Sequence, residues 1–133
     1  MEIKILNHEE ILEQKELILD FYVSVYQTTR EHYRKAIENT YLACVLIDEN
    51  DRIWGSCRIL TDFSKHAHII DFIIDPSMQK HGWGSKILER AAKECKRLGC
   101  RYIGLTCAKE LFDFYAKNNF KTVEGFNYLK FEG

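Results

Sequence analysis

The sequence predicts an α/β domain with a mixed, mostly antiparallel central sheet flanked by helices. Three observations lead there. Ile3 and Ile5 alternate with charged neighbours in an opening strand. Three β-rich stretches then fill the middle of the chain between Tyr41 and Asp75. Beyond them an amphipathic helical stretch leads to another apolar strand, Tyr102 to Cys107. An antiparallel meander followed by a strand–helix–strand crossover produces a sheet of mixed direction.

The opening strand gives way at Asn7 or His8 to a helical pattern. Ile11, Leu12, Leu17, Ile18, Phe21, Tyr22 and Val25 share one broad face of it. A short helix is expected from Glu31 to Asn39, with Tyr33, Ala36 and Ile37 turned inward. Tyr41 to Ile47 (YLACVLI) is too apolar and β-branched for anything but a strand. The turn from Asp48 to Asp51 leads into a strand from Arg52 to Thr61, making a hairpin. His66 to Asp75 (HAHIIDFIID) reads as a central strand that Pro76 stops. The helix after it runs from about Gly84 to Leu98, with Gly99 at its C-cap. Its apolar face is Ile87, Leu88, Ala91, Ala92, Cys95 and Leu98. Ala108 to Asn118 reads as a short helix, and Lys121 to Phe131 as one or two closing strands.

These elements fit a single domain over residues 1–133, with 46% hydrophobic residues to supply a core. With 19 Lys+Arg against 20 Asp+Glu, the formal net charge is −1. That balance excludes bulk attraction to nucleic acid or anionic lipid, so an anionic ligand must be held by a local site. The N-terminus carries acidic residues where a signal peptide is basic, and no stretch approaches the ~20 apolar residues of a membrane span. A cytoplasmic protein without a membrane partner is the expectation. The cysteines Cys44, Cys57, Cys95, Cys100 and Cys107 fall in apolar or helical stretches and read as reduced packing thiols. No metal is expected, because His66 and His68 have no Cys/His pair at ligand spacing beside them.

The chemistry concentrates between Ile73 and Ser85, in the sequence IIDPSMQKHGWGS. Pro76 directs the chain out of the sheet, and Gln79, Lys80, His81, Gly82, Trp83, Gly84 and Ser85 turn it into a helix. The first N–H groups of that helix and those of the turn converge on one spot, which makes an anion site. Gly82 and Gly84 let backbone approach a ligand without a Cβ in the way. Lys80, His81 and Lys86 add local positive charge, and the combination suits a pyrophosphate. The loop lacks the Gly-Lys-Ser/Thr ending of a Walker loop and the third glycine of a dinucleotide fingerprint. On these residues alone, a plain helix start with two turn glycines stands beside phosphate binding.

The segment resembles the Gln/Arg-x-x-Gly-x-Gly/Ala acetyl-CoA loop of the GNAT superfamily of N-acetyltransferases. About 30 residues on, Phe114-Tyr-Ala-Lys-Asn-Asn-Phe120 resembles the family's Phe-Tyr-x-Lys-x-Gly-Phe stretch. Asn119 stands where glycine is usual, and asparagine also tolerates a left-handed backbone. The resemblance runs roughly from Tyr41 to Phe131 and is nearest to small bacterial members. It implies a sheet splayed between its fourth and fifth strands and acetyl-CoA as co-substrate. It also implies direct transfer of the acetyl group to a primary amine on a small molecule, within a ternary complex. The pyrophosphate is then expected on the backbone of Gln79 to Ser85 and the pantetheine arm along Phe72, Ile73 and Ile74. Tyr115 is the expected acid toward the CoA sulfur.

Asp71, a carboxylate in an apolar run, is the first candidate for a base toward the amine. The alternative is a structural partner for Arg58 or for a loop N–H. Arg58 and Asp62 are candidates for substrate contact. Strict alternation sets His68 and Asp71 on opposite faces of their strand unless a bulge intervenes. Two rival functions remain open: a CoA-binding sensor or subunit without catalysis, and an acyltransferase using another acyl-CoA. A homodimer is left open as well.

Overall fold

In the computed structural model, which describes residues 1–133, the opening segment forms β1 (Glu2–Asn7). Asn7 ends the strand and starts α1 (His8–Glu13) through a reciprocal cap. Its Oδ1 accepts from the Glu10 N–H at 2.9 Å, and Glu10 Oε1 accepts from the Asn7 N–H at 3.0 Å. The single helix expected here is kinked at Gln14 into α1 and α2 (Lys15–Tyr26). Hydrogen bonds from Gln14 N–H to Glu10 and from Ile18 N–H to Gln14 carry through the kink. The bend turns Ile11, Ile18, Leu19, Phe21 and Tyr22 onto the sheet and leaves Leu12 and Leu17 exposed. After a left-handed Gln27, the Thr29 hydroxyl caps α3 (Arg30–Glu38), whose Ile37 is buried.

β2 (Leu42–Ile47) is buried along its whole length, as its unbroken apolar sequence requires. β3 (Ile53–Thr61) and β4 (His66–Ile74) continue the meander. The chain then makes a short 3-10 turn at Pro76–Met78, runs up α4 (Trp83–Arg97) and returns as β5 (Tyr102–Leu105). The sheet order is β1-β2-β3-β4-β5, antiparallel throughout except for the β4–β5 pair. The expected fold class is the observed one.

Side chains of the sheet alternate into two cores. Leu42, Cys44 and Leu46 meet Ile87, Leu88, Ala91 and Cys95 of α4 on one face. Ala43, Val45 and Ile47 meet Ile11, Ile18, Leu19, Tyr22 and Ile37 of the first three helices on the other. Cys44, Cys57, Cys95 and Cys100 are buried free thiols, and Cys107 is partly buried. No helix is long and apolar enough to cross a membrane.

The C-terminal third departs from the expectation. β5 stops at Leu105, and the next helix is a 3-10 turn (Lys109–Leu111) followed by α5 (Phe112–Lys117). The closing strands expected from Lys121 to Phe131 do not form. After the left-handed Asn119 (φ 68°), that segment makes one turn, with the Phe126 N–H on Val123 O at 3.2 Å and Gly125 at φ 82°. Alternating apolar residues favour an extended chain, but a strand also needs a neighbour's ladder bonds, and here the segment takes none.

Candidate active site

β4 is bulged where its polar residue stands. It pairs regularly with β3 from Thr61↔Ala67 to Arg58↔Ile70 and again from Ser56↔Ile73, so Cys57 faces both Asp71 and Phe72. Asp71 has φ 48°, a left-handed conformation that costs a non-glycine residue about 1–2 kcal/mol. The extra residue reverses the alternation. Ala67 and Ile69 belong to the α4 core, and so do Phe72 and Ile74. Asp71 thus joins Arg58 on the face of α2 and α3. His68, paired across from Leu60, shares that face, because the bulge intervenes.

Three side chains hold the strained residue. Arg58 Nε donates to Asp71 Oδ2 at 2.8 Å, and Nη2 lies 2.8 Å from the same oxygen in an ion pair. The Tyr33 hydroxyl donates to Oδ1 at 3.3 Å. The Tyr22 hydroxyl donates to the Asp71 carbonyl at 3.0 Å and lies 3.0 Å from Ser56 Oγ. Arg58 Nη1 reaches on to Thr40 Oγ1 at 3.0 Å and to the Ala36 carbonyl at 3.5 Å. The guanidinium therefore ties α3 to the bulge, and its side chain is only 12% exposed. Of the two roles open to Asp71, partner of Arg58 is the one seen. Tyr22, Thr40 and Ser56 were not anticipated here. A tyrosine inside the apolar stripe of α2 was the available signal, since a buried phenol needs a hydrogen-bond partner.

Asp62 lies elsewhere. Its Oδ1 accepts from the N–H groups of Ser64, Lys65 and His66 at 2.9, 2.7 and 3.1 Å, closing the β3–β4 hairpin. Those three bonds hold its carboxyl down at about 2. The hairpin and the loop after Ile74 stand at opposite ends of the nine-residue β4, roughly 30 Å at ~3.3 Å per residue. Asp62 is therefore not brought together with the loop, and His68 Nε2 turns to Thr106 Oγ1 at 3.3 Å.

At the far end of β4 the loop is built around two left-handed residues, Lys80 (φ 67°) and Gly82 (φ 82°). Gly82 caps α4 without a side chain, and the first helical bond is from Lys86 N–H to Gly82 O. The N–H groups of Trp83, Gly84 and Ser85 are left free at the positive end of the helix. Gln79 Nε2 donates to the Ile74 carbonyl at 3.0 Å and fastens the loop to the strand. The Lys86 ammonium lies over the Trp83 ring at 4.6 Å. The two glycines differ. A Cβ at Gly82 would meet open space, the room an approaching anion needs. A Cβ at Gly84 would point at Phe114 and Phe72, 3.5 and 3.6 Å away, so this glycine lies under aromatic packing.

Phe72 joins the three parts of the site. Its ring lies 6.2 Å from Phe114 and 6.4 Å from Tyr115, which also contacts Phe120 at 6.2 Å. β4 pairs with β5 only through Ile69↔Leu105, so from Ile70 to Ile74 its edge on that side carries no neighbouring strand. A strand edge, a helix start with free N–H groups and the Tyr115 helix thus converge on one opening. Burial, with the Cys107 and Cys57 thiols nearby, pushes the Tyr115 phenol up to about 12. Burial and the adjacent Asp71 push Tyr33 up to about 12 and raise Tyr26 further.

Two consequences are measurable. Asp71→Asn or Arg58→Met alone leaves a partly buried polar or charged partner uncompensated, and each should lower unfolding stability by about 3–5 kcal/mol. The double variant Arg58→Met/Asp71→Asn should lose less than the sum of the two single losses. Additive losses in urea unfolding would show that the pair is not coupled. The raised phenols hold their protons in the folded state, so their stabilisation is complete below pH ~10 and falls as pH rises toward 12. Urea midpoints between pH 9 and 11.5 should fall, and fall less in Tyr33→Phe and Tyr115→Phe. A fall as steep in those variants would separate the two phenols from the effect.

Known proteins share this fold. A GNAT-family acetyltransferase from Streptococcus pneumoniae is 22% identical, with 98% of this chain and 100% of that chain covered and a TM-score of 0.73. Glucosamine-6-phosphate N-acetyltransferase from Arabidopsis thaliana is 24% identical over 98% of this chain and 100% of that one, with a TM-score of 0.66. An aminoglycoside acetyltransferase from an uncultured soil metagenomic sample, solved with sisomicin, is 20% identical over 98% and 95%, with a TM-score of 0.70. At these identities the likeness is one of fold. The profile of the acetyltransferase (GNAT) family matches residues 11–120, which takes in α2, the Arg58–Asp71 bulge, the glycine loop and Tyr115. The chain belongs to the GNAT acetyltransferase family.

Proposed function

We propose that this chain transfers an acetyl group from acetyl-CoA directly to a primary amine on a small molecule. The observation that carries the reading is the opening where α4 starts with free N–H groups beside the unpaired edge of β4 and the Tyr115 helix. The residues fit the donor. Trp83, Gly84 and Ser85 offer three N–H groups to a pyrophosphate, and Gly82 leaves the space in front of them open. Lys80 and Lys86 supply cations at that end, which a chain of net charge −1 provides nowhere in bulk. The edge of β4 at Phe72, Ile73 and Ile74 offers backbone groups to the amides of an extended pantetheine arm. Acetyl-CoA, when bound, supplies an acetyl thioester whose sulfur is the leaving group.

The side chains around that position then have distinct tasks. Tyr115 holds a proton for the departing sulfur. Its apolar neighbours Phe72, Phe114 and Phe120 penalise a phenolate, and they penalise a bare thiolate in the same way. A hydrogen bond from the hydroxyl is therefore worth more here than in water. Asp71 is already engaged by Arg58 and Tyr33, and we assign it to holding the bulge and the acceptor ammonium, whose proton passes to solvent before the free amine reacts. Tyr26 and Tyr33, stacked at 5.8 Å, extend the wall on the amine side.

Calorimetric titration with acetyl-CoA and with CoA tests the donor site. Gly82→Glu combines left-handed strain with a negative charge at a helix start and should weaken both ligands about 10–100-fold. Gly84→Ala makes only ordinary van der Waals contact and should bind within about threefold of the parent. Equal loss in the two variants would move the phosphate site away from Gly82. Thiol release on a panel of primary amines tests the chemistry, with Tyr115→Phe expected to lower kcat about 100-fold while CoA binding is kept. No turnover on any amine, with CoA binding intact, would favour a CoA-binding sensor.

A further inference from the structure

Three tyrosines with parallel rings stand around Asp71. Tyr22 lies 5.3 Å from Tyr33 and 5.8 Å from Tyr26, and Tyr26 lies 5.8 Å from Tyr33. The hydroxyls of Tyr22 and Tyr33 are bonded to Asp71, and that of Tyr26 has no partner in the chain. Tyr26 ends α2 and is 36% exposed, whereas Tyr22 is buried. Burial, Asp71, Tyr33 and, least, Tyr115 raise the Tyr26 phenol, so its hydroxyl lies in the field of both Asp71 and Tyr115. The cations around this wall are already matched. Arg58 gives its donors to Asp71, Thr40 and the Ala36 carbonyl. Arg30 pairs with Glu16 and Asp20, and Arg34 with Glu31 at 3.8 Å. His32 lies edge-on to the Tyr33 ring at 5.5 Å, and His68 meets Thr106. Asp71 keeps capacity of the opposite sign. Its Oδ2 receives Arg58, but Oδ1 has only the 3.3 Å contact from Tyr33, and a carboxylate oxygen accepts more than one bond. The side chain is 22% exposed.

We propose that Tyr26, together with Asp71 Oδ1, selects the acceptor by charge. The acceptor it admits is a primary amine on an uncharged alkyl or aryl body, with no carboxylate beside the nitrogen. The inference rests on the acetyl transfer proposed above and specifies its second substrate. An ammonium group donates to Asp71 Oδ1 and to the Tyr26 hydroxyl, beside the electron-rich faces of the tyrosines. The body of the acceptor rests on the exposed part of the Tyr26 ring. A carboxylate on the carbon next to that nitrogen would stand close to Asp71, in a partly dry site where every neighbouring arginine is engaged. An α-amino acid is therefore disfavoured, and the decarboxylated amine of the same skeleton is admitted. Tyr26 is the position at which this choice can be altered, because Tyr22 and Tyr33 also hold the bulge.

Matched acceptors test this: phenethylamine against phenylalanine, and isopentylamine against leucine, each scored as kcat/KM per free amine. The parent chain should prefer the amine of each pair about 30-fold or more. Phenylalanine amide has the bulk of phenylalanine without its negative charge, and should fall within about fivefold of phenethylamine. Tyr26→Arg places a free cation on the wall and should shift the preference toward the amino acids about 10-fold or more. Unchanged circular dichroism and CoA affinity would show that this variant is folded. Tyr26→Phe keeps the ring and should raise KM for phenethylamine about three- to tenfold, with kcat little changed. An equal fall on both members of each pair in Tyr26→Arg would mark a merely structural residue and overturn the proposal. An amide as poor as phenylalanine, an unchanged KM in Tyr26→Phe, or a parent preference for the amino acids would overturn it too. If no amine turns over, calorimetric titration of the CoA-bound chain with the same pairs decides. Tighter binding of the amines would then support charge selection while acetyl transfer fails, and equal binding or none would overturn the selection itself.

Discussion

The ion pair between Arg58 and Asp71 holds together the parts of this molecule that concern chemistry. Its partners lie on β3, β4 and, through Thr40 and Ala36, on the end of α3. Without it the left-handed Asp71 keeps only the hydroxyls of Tyr22 and Tyr33, against the local preference of an aspartate in a β-branched run to stay extended. The bulge matters because it shifts which face each later residue of β4 occupies. Phe72 then turns toward α4 and α5, where it meets Phe114, Tyr115 and the first turn of the glycine helix. One extra residue, stabilised by one guanidinium, thus sets the geometry of the opening.

The shape of the glycine loop was legible because it is set locally. A strand, a proline, two glycines at fixed spacing and a helix start state the shape of the loop without reference to distant residues. The order of the sheet was legible for a similar reason, since hairpins and a crossover follow from element lengths. The bulge was visible only as a condition. A left-handed aspartate is a tertiary fact, produced by Arg58, Tyr22 and Tyr33 from three other elements. Asp62 shows the converse, since a carboxylate after a strand can serve a ligand or close its own hairpin. Here three backbone N–H groups decide for the hairpin. The tail from Lys121 was read as strand from its side chains, and a side-chain pattern cannot say whose edge will supply the bonds.

Electrostatics of the chain as a whole are nearly silent, with charges of both signs in balance. Attraction for an anion is instead concentrated in aligned peptide dipoles and a few cations at the start of α4. Such a site acts over a short range, and its strength depends on backbone geometry more than on the number of basic residues. It tolerates an acidic surface elsewhere, which leaves the α2–α3 face of β4 free to carry the Asp71 carboxylate and the Tyr22 and Tyr33 phenols.

The aromatic packing over Gly84 links two ends of the opening that are far apart in sequence. Phe72 and Phe114 rest within 3.6 Å of where a side chain would stand at that glycine, and Phe114 precedes Tyr115 on the same helix. The glycine turn at the start of α4 and the helix that carries the Tyr115 hydroxyl therefore meet through these two rings. A displacement of one by a few tenths of an ångström is passed to the other, because packed rings do not compress. Under the proposed function, a ligand seated on the glycine loop would therefore also shift the Tyr115 helix through those rings.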